Sequence, residues 1–258
     1  MGRRRKENTL QTYRKKQQEG RCQGDKADFS PGIRTYEIPS LGKTARAFGE
    51  TTGRVHHCLS QLEKYFFLWL DYDPAVSDIK EQFLLPLDRT LLIAAQMGIK
   101  HPYANQVPAV MSTDFCYCKD GHWYAVAIKT TEDLQKPRVQ EKLKIEKAYW
   151  EKQQIPWRIV TEEDLPRQLI LNLQWMHSGK PIAELIPDEE LLEHVSEAFL
   201  ELFENQDIPF AEIVNVFEAY CGLIPGSVIQ LFKQLVMDGK IKLDLTRPIY
   251  AGDPRRSA

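Results

Sequence analysis

The sequence has no apolar run near the roughly 18 residues that a membrane-spanning helix needs. Its opening stretch, MGRRRKENTLQTYRKK, has no apolar core of the kind a secretory signal requires. It also has no GxxxxGK[ST] phosphate loop and no internal repeat, which excludes a P-loop nucleotidase and a solenoid. Cysteine is sparse and odd in number: Cys22, Cys58, Cys116, Cys118 and Cys221 make five, scattered as expected for reduced thiols in a cytosol. Net charge is nearly absent as well, at −2.

That average hides a segregation. Residues 1–26 carry nine Lys or Arg against three acids, while residues 181–232 carry eleven acids and neither Lys nor Arg. A basic arm suits phosphate contact, with Arg3, Arg4, Arg5, Lys15 and Lys16 the expected DNA-contacting residues. A merely solubilising tail is the competing reading. The acidic half is suited to a protein partner rather than to DNA.

What the sequence has in full is a hairpin. Residues 110–118 and 122–129 read as two strands joined at Lys119-Asp120-Gly121. Strand alternation puts Ser112, Asp114 and Cys116 on one face and Thr113, Phe115 and Tyr117 on the other. Asp114 and Lys129 on neighbouring strands are the core of a metal-dependent phosphodiesterase site, in which the carboxylate holds a cation and the ammonium serves the attacking water. The same pair is also common surface decoration. Two before the lysine stands Ala127, whose side chain cannot ligate anything.

Around the hairpin, LSQLEKYFFLWLDYDP reads as an amphipathic helix, with Ser60 and Glu63 spaced as a capping box. Residues 34–40 and 43–48 suggest short strands, 76–85 a strand, 87–98 a short helix, and 155–161 another strand. Pro137 can open a helix running to about Gln153, whose apolar seam of Val139, Leu143 and Trp150 carries Glu146 in its middle. An ionised carboxylate there needs a partner, either Lys129 or a metal. Three domains are expected: a flexible basic arm over 1–30, an α/β domain with helices on a mixed sheet over 31–179, and an acidic domain over 180–258. The last contains helical patterns near 188–205, 209–221 and 226–238 followed by the alternating segment KIKLDL, together a winged-helix (helix-turn-helix) pattern.

TGRVHHCLSQLE (52–63), DIKEQF (78–83), GIKHP (98–102), MSTDF (111–115), EKLKIEKAYW (141–150) and QIPW (154–157), in this order and spacing, resemble the TnsA family, the endonuclease subunits of heteromeric cut-and-paste bacterial transposons. The resemblance implies a restriction-endonuclease-like catalytic domain with a C-terminal winged-helix domain, in the bacterial cytoplasm. It implies Mg2+, one or two ions with Mn2+ able to substitute, and 5′-strand cuts in double-stranded DNA at the transposon ends. The implied partners are a TnsB-like DDE transposase and a TnsC-like AAA+ ATPase that meets the C-terminal domain. The family's catalytic residues fall on Glu63, Asp114 and Lys129, and its metal-holding positions on Glu63, Asp114 and Glu146. The family's usual Gln falls on Ala127, a departure; the backbone carbonyl of Ile128 is the expected compensating oxygen. The alternative is a catalytically silent adaptor that docks transposase and regulator.

Overall fold

The computed structural model describes residues 10–37, 44–104, 106–204 and 208–249. The chain forms two compact units that meet at Leu165 and Pro166.

The first unit runs α1 (Leu10–Gln18), β1 (Ala45–Gly49), β2 (Arg54–Cys58), α2 (Gln61–Tyr72), β3 (Val76–Leu84), α3 (Leu87–Gln96), β4 (Tyr103–Ala104), β5 (Val107–Pro108), β6 (Ser112–Lys119), β7 (His122–Ile128), α4 (Thr131–Leu134), α5 (Pro137–Lys152) and β8 (Trp157–Val160). Its main sheet has the order β3-β6-β7-β8. The first two neighbour pairs are antiparallel and the last is parallel, so this is a mixed sheet. Asp120 (φ 50°) and Gly121 (φ 77°) give the β6–β7 turn the two left-handed residues that a tight hairpin needs. α3 and α5 cover one face, where Leu85, Ile93, Cys116, Ala125, Ile145 and Trp150 form a buried cluster. α2 covers the other, with the Phe66 ring against Phe115 and Tyr117.

Residues 10–30, expected to belong to a flexible arm, are folded onto this unit. Tyr13 of α1 packs on the cluster of Ile33, Leu84, Leu87 and Val110. Phe29 is buried beneath the Arg54 guanidinium, 5.0 Å from its ring centre. Gly32 donates its N–H to the Gln82 carbonyl at 3.1 Å. A Cβ at Gly32 would stand 2.6 Å from that oxygen, so only glycine allows this approach. The expected strand at 34–40 is instead a 3-10 turn over Thr35–Glu37, with the Glu37 carboxylate accepting from the Arg34 N–H; residues 38–40 lie outside the described set.

β2 and β3 are joined by a buried ionic cluster. Glu81, fully buried, accepts from Arg54 Nη1 and Nη2 at 2.9 and 2.7 Å, from His56 Nδ1 at 2.8 Å and from the His57 N–H at 3.0 Å. Burial pushes its carboxyl up, but the His56 and Arg54 bonds outweigh this and bring it down to about 2. His57 points the other way and is only half-buried, as adjacent strand residues should be.

The second unit comprises α6 (Arg167–Met176), α7 (Ile182–Leu185), α8 (Glu189–Glu204), α9 (Phe210–Tyr220) and α10 (Ser227–Met237) around Phe199, Phe210 and Phe232. The boundary thus falls before α6, not near residue 179. The reason lies in Asn172, whose Nδ2 donates to the carbonyls of Leu245 and Arg247 at 2.7 Å each and ties α6 to the end of this unit. KIKLDL is not a strand, and among the described residues no strand follows α10. Ile241 and Leu245 are buried as the alternation requires, but with no partner strand the backbone turns to the helices, Ile241 N–H bonding the Leu235 carbonyl. Among the described residues no helix is long and apolar enough to cross a membrane.

Removing one partner from a buried ion pair leaves the other uncompensated. Arg54→Met should therefore destabilise the first unit by about 3–5 kcal/mol. Urea denaturation of the variant should show it as a lower midpoint with an unchanged slope.

Candidate active site

The site forms where the sheet's regularity fails. The β3–β6 ladder keeps one register from Lys80↔Cys116 to Leu84↔Ser112, but Gln82 and Asp114, which face each other, do not join it. Gln82 has φ 51°, a left-handed conformation that costs a non-glycine residue energy within a strand. The pairing of β6 with β7 stops at Phe115↔Val126, and beyond it the Asp114 carboxylate takes the Ile128 N–H at 2.6 Å.

Simple alternation therefore does not hold at Asp114. Thr113 was expected to share a face with Phe115, yet Thr113 bonds α5 while Phe115 meets α2. Thr113 and Cys116 both face α5 although three positions apart, and the break between them is at the candidate catalytic residue.

Lys129 Nζ donates to Asp114 Oδ2 and to the Ile128 carbonyl, each at 2.7 Å. Burial alone would lower this ammonium, but the charge and hydrogen bond of Asp114 hold it above its usual value. The ammonium thus bridges the two oxygens expected to face a cation.

Glu63 sits in the first turn of α2 and is buried. Its N–H bonds Ser60 Oγ at 3.1 Å, while its carboxyl accepts from Ser60 Oγ, from the Leu59 N–H at 2.8 Å and from Gln82 Nε2 at 3.1 Å. The capping box is real, and it also holds Glu63 in the site. Burial and the nearby Asp114 charge push Glu63 up to about 8.

Glu146 is buried in α5, as its position in the apolar seam required. Its partners are neutral: Oε1 accepts from Thr113 Oγ1 at 2.8 Å and from Trp157 Nε1 at 3.1 Å, and Trp150 Nε1 in turn donates to Thr113 Oγ1 at 2.7 Å. Burial and Asp114 raise it to about 7. Both carboxyls respond to Asp114's charge, which brings Glu63, Asp114, Glu146 and Lys129 into one electrostatic site. Among the described residues, however, no three His, Cys, Asp or Glu side chains converge as a ready metal cage.

Of the expected DNA contacts, Arg3, Arg4 and Arg5 lie outside the described residues. Lys15 is exposed, whereas Lys16 is buried with Nζ 3.5 Å from Glu37, so it has an internal partner rather than a surface position. The residues that sequence reasoning missed are Gln82, Thr113 and Trp157. Gln82 stands inside DIKEQF, but nothing in a strand pattern signals a left-handed residue there.

A mixed sheet flanked by helices, with an aspartate and a lysine on adjacent strands and an acidic helix start beside them, is the arrangement of a restriction-endonuclease-like nuclease. Two family models match the chain, "TnsA-like endonuclease N terminal" over residues 73–162 and "TnsA endonuclease C terminal" over 164–245. The chain is also 38% identical over 240 residues to the transposon Tn7 transposition protein TnsA of Escherichia coli, covering 90% of this chain and 85% of that one. It belongs to the TnsA endonuclease family. The seam between the two family models, at 162–164, lies close to the division at Leu165 and Pro166.

Raised carboxyl values predict a pH dependence. A group whose folded value lies above its ordinary 4.5 stabilises the fold while protonated and loses that contribution as pH rises through its folded value. The metal-free protein should accordingly melt at lower temperature as pH rises from about 5 to about 8, and level off above that. Glu63→Gln should flatten the upper part of that decline in a calorimetric pH series.

Proposed function

We propose that this TnsA family endonuclease makes the 5′-strand cuts at transposon ends, with Asp114, Glu63 and Lys129 as its catalytic residues and Mg2+ as its cofactor. The observation that carries the reading is the Lys129 ammonium bound between Asp114 Oδ2 and the Ile128 carbonyl. These are hard oxygens on neighbouring strands, the donor type that suits Mg2+ or Mn2+, and Mg2+ commonly takes one or two carboxylates with waters and substrate phosphate as its remaining ligands. Asp114 and the Ile128 carbonyl would hold the ion, with Glu63 and Glu146 as nearby acidic groups. When bound, the ion supplies Lewis-acid polarisation of the phosphate and acidifies water.

The chain's own residues do the rest. Lys129, held by Asp114, offers a fixed ammonium to offset negative charge gathering on the phosphate oxygens. Glu63, near neutrality and buried, is poised to exchange a proton at its carboxyl oxygens. Gln82 fixes the carboxyl of Glu63, and Thr113 and Trp157 fix that of Glu146.

For the second unit we propose a docking role toward a TnsC-like ATPase and a TnsB-like transposase. A winged-helix DNA reader is the weaker reading, because no wing is formed among the described residues. Lys233, the cation of α10, is buried, with Nζ bonded to the Ser178 carbonyl and Oγ at 3.0 Å and lying over the Trp175 ring. Val216 and Tyr220 on α9 and Ile224 just beyond it stand exposed, on an acidic domain suited to a protein partner.

The test is strand-specific cleavage of a transposon-end duplex by the reconstituted complex in Mg2+. Asp114→Ala should abolish the 5′-strand cuts, a loss of at least about 1,000-fold, and leave 3′-strand cuts intact. Wild type giving only 3′-strand cuts would favour the silent adaptor. Separately, Mg2+ should raise the melting temperature of wild type and not of Asp114→Ala.

A further inference from the structure

A large groove lies beside the site, between α1 and the start of β6. It encloses about 1290 Å³ and continues, through the shared wall residues Tyr103 and Lys142, into a second hollow of about 440 Å³. One wall is a polar stripe of α1. Gln11, Arg14, Lys15 and Gln18 recur at i, i+3, i+4 and i+7, lie on one helix face, and are all exposed. The facing wall includes Ser112 and Lys142. Ser112 is two residues before Asp114 on β6, and Lys142 is one helical turn before Glu146 on α5, so the groove wall is carried by the same two elements that carry these site residues.

The charge of these walls is positive. Arg14, Lys15, Lys16, Arg21, Lys100, Arg138 and Lys142 give seven cations against the three carboxylates Glu19, Glu37 and Glu141. Those carboxylates are engaged, Glu37 by Arg21 and Lys16, Glu19 by Arg21 and, at 4.0 Å, by Lys15, and Glu141 by Arg138, so the excess is one of formal charge along the trough. Glutamine amides and lysine or arginine heads along a trough match a run of phosphate oxygens, with charge for affinity and amide donors for position.

We propose that this groove is the track for the phosphodiester backbone of the DNA strand that enters the site, with Arg14, Lys15 and Lys142 as its phosphate-binding cations. The assignment rests on the endonuclease reading above. Contacts of this kind are independent of base sequence and lose strength with salt in proportion to the phosphates neutralised. α1 is packed on the nuclease unit through Tyr13, so the stripe is presented in a fixed place instead of on a loose tail.

The test uses the full chain, a fluorescein-labelled duplex of arbitrary sequence and EDTA, so that binding is read without cutting. Anisotropy is followed across a KCl series for wild type, for Arg14→Gln/Lys15→Gln/Lys142→Gln, and for Arg89→Gln/Lys147→Gln/Lys240→Gln. The last variant removes equal charge from exposed positions elsewhere. The groove variant should bind about 10- to 100-fold more weakly at low salt, with a log–log salt slope shallower by about 2–3, while the control keeps the wild-type slope. Equal weakening in both variants would overturn the assignment, as would a groove variant that binds like wild type or a wild type that binds no duplex. Weakened binding of an acidic peptide from a partner protein, with duplex binding intact, would also overturn it and give the groove to that partner. Asp114→Ala separates this outcome from the endonuclease reading: it should keep the binding and lose the 5′-strand cut in the reconstituted complex. A wild type that binds through the groove but never cuts would count against the nuclease activity alone.

Discussion

A β-sheet ladder satisfies backbone groups by repetition, and at Gln82 and Asp114 this repetition is given up in two facing strands at once. Asp114 is released from the ladder, and its carboxylate takes the Ile128 N–H, a bond that backbone would otherwise supply. The opposite strand accommodates this with a left-handed Gln82, whose carbonyl is met by the Gly32 N–H and whose amide reaches Glu63. Thr113, turned toward α5 by the same break, holds Glu146. A single irregularity therefore gathers contributions from α2, β3, β6, β7 and α5. Backbone strain of order 1–3 kcal/mol persists only where neighbours over-determine it, and Gly32, Cys22 and Glu63 are those neighbours.

Much of this was legible in the residues. The hairpin, the helix from Pro137 and the amphipathic α2 followed from turn chemistry, a first-turn proline and apolar spacing, and each formed as expected. Glu146 was conspicuous because a charge in an apolar seam demands a partner; that the partners would be a threonine and a tryptophan was not legible, since both depend on register across the sheet. The facing of Thr113, expected with Phe115 and found toward α5, escaped for the same reason. Period-two alternation is a property of an unbroken ladder, and no local pattern announces a break. KIKLDL failed in the opposite way: its alternation was real and its inward residues are buried, but a strand needs a neighbouring edge, which the helices of the second unit do not offer.

Charge segregation read from composition also changes meaning once the fold is known. Among its described residues, the basic N-terminal segment is not a uniform cationic tail. Arg21 and Lys16 are used internally against Glu37, while Arg14 and Lys15 remain on an exposed helical face. Lys233 is likewise consumed by Ser178 and Trp175, which leaves the acidic second unit without an exposed cation on α10. Formal counts overstate the charge available to a partner wherever cations serve the interior. For the same reason the two units differ in what they can present to DNA by more than their sequences suggest.

Ala127 bears on whether this arrangement is a working nuclease or a remnant. Its methyl is fully buried in β7, paired across from Ile159, so nothing polar enters the site from that position. The oxygens of Asp114 and the Ile128 carbonyl do not depend on it, since one comes from the next strand and the other from main chain. The rest of the arrangement argues from its cost. Glu63 and Glu146 are buried beside Asp114, and their raised values mean that the fold is strained whenever they ionise. Gln82 adds backbone strain on top. A platform used only for docking has a use for the Glu63 carboxyl as a cap, but none for the Glu146 carboxyl in an apolar seam or for a left-handed residue at Gln82. A buried Glu146 carboxyl and a strained Gln82 beside Asp114 make physical sense under the nuclease reading proposed above, in which a cation and a phosphate arriving together would relieve them.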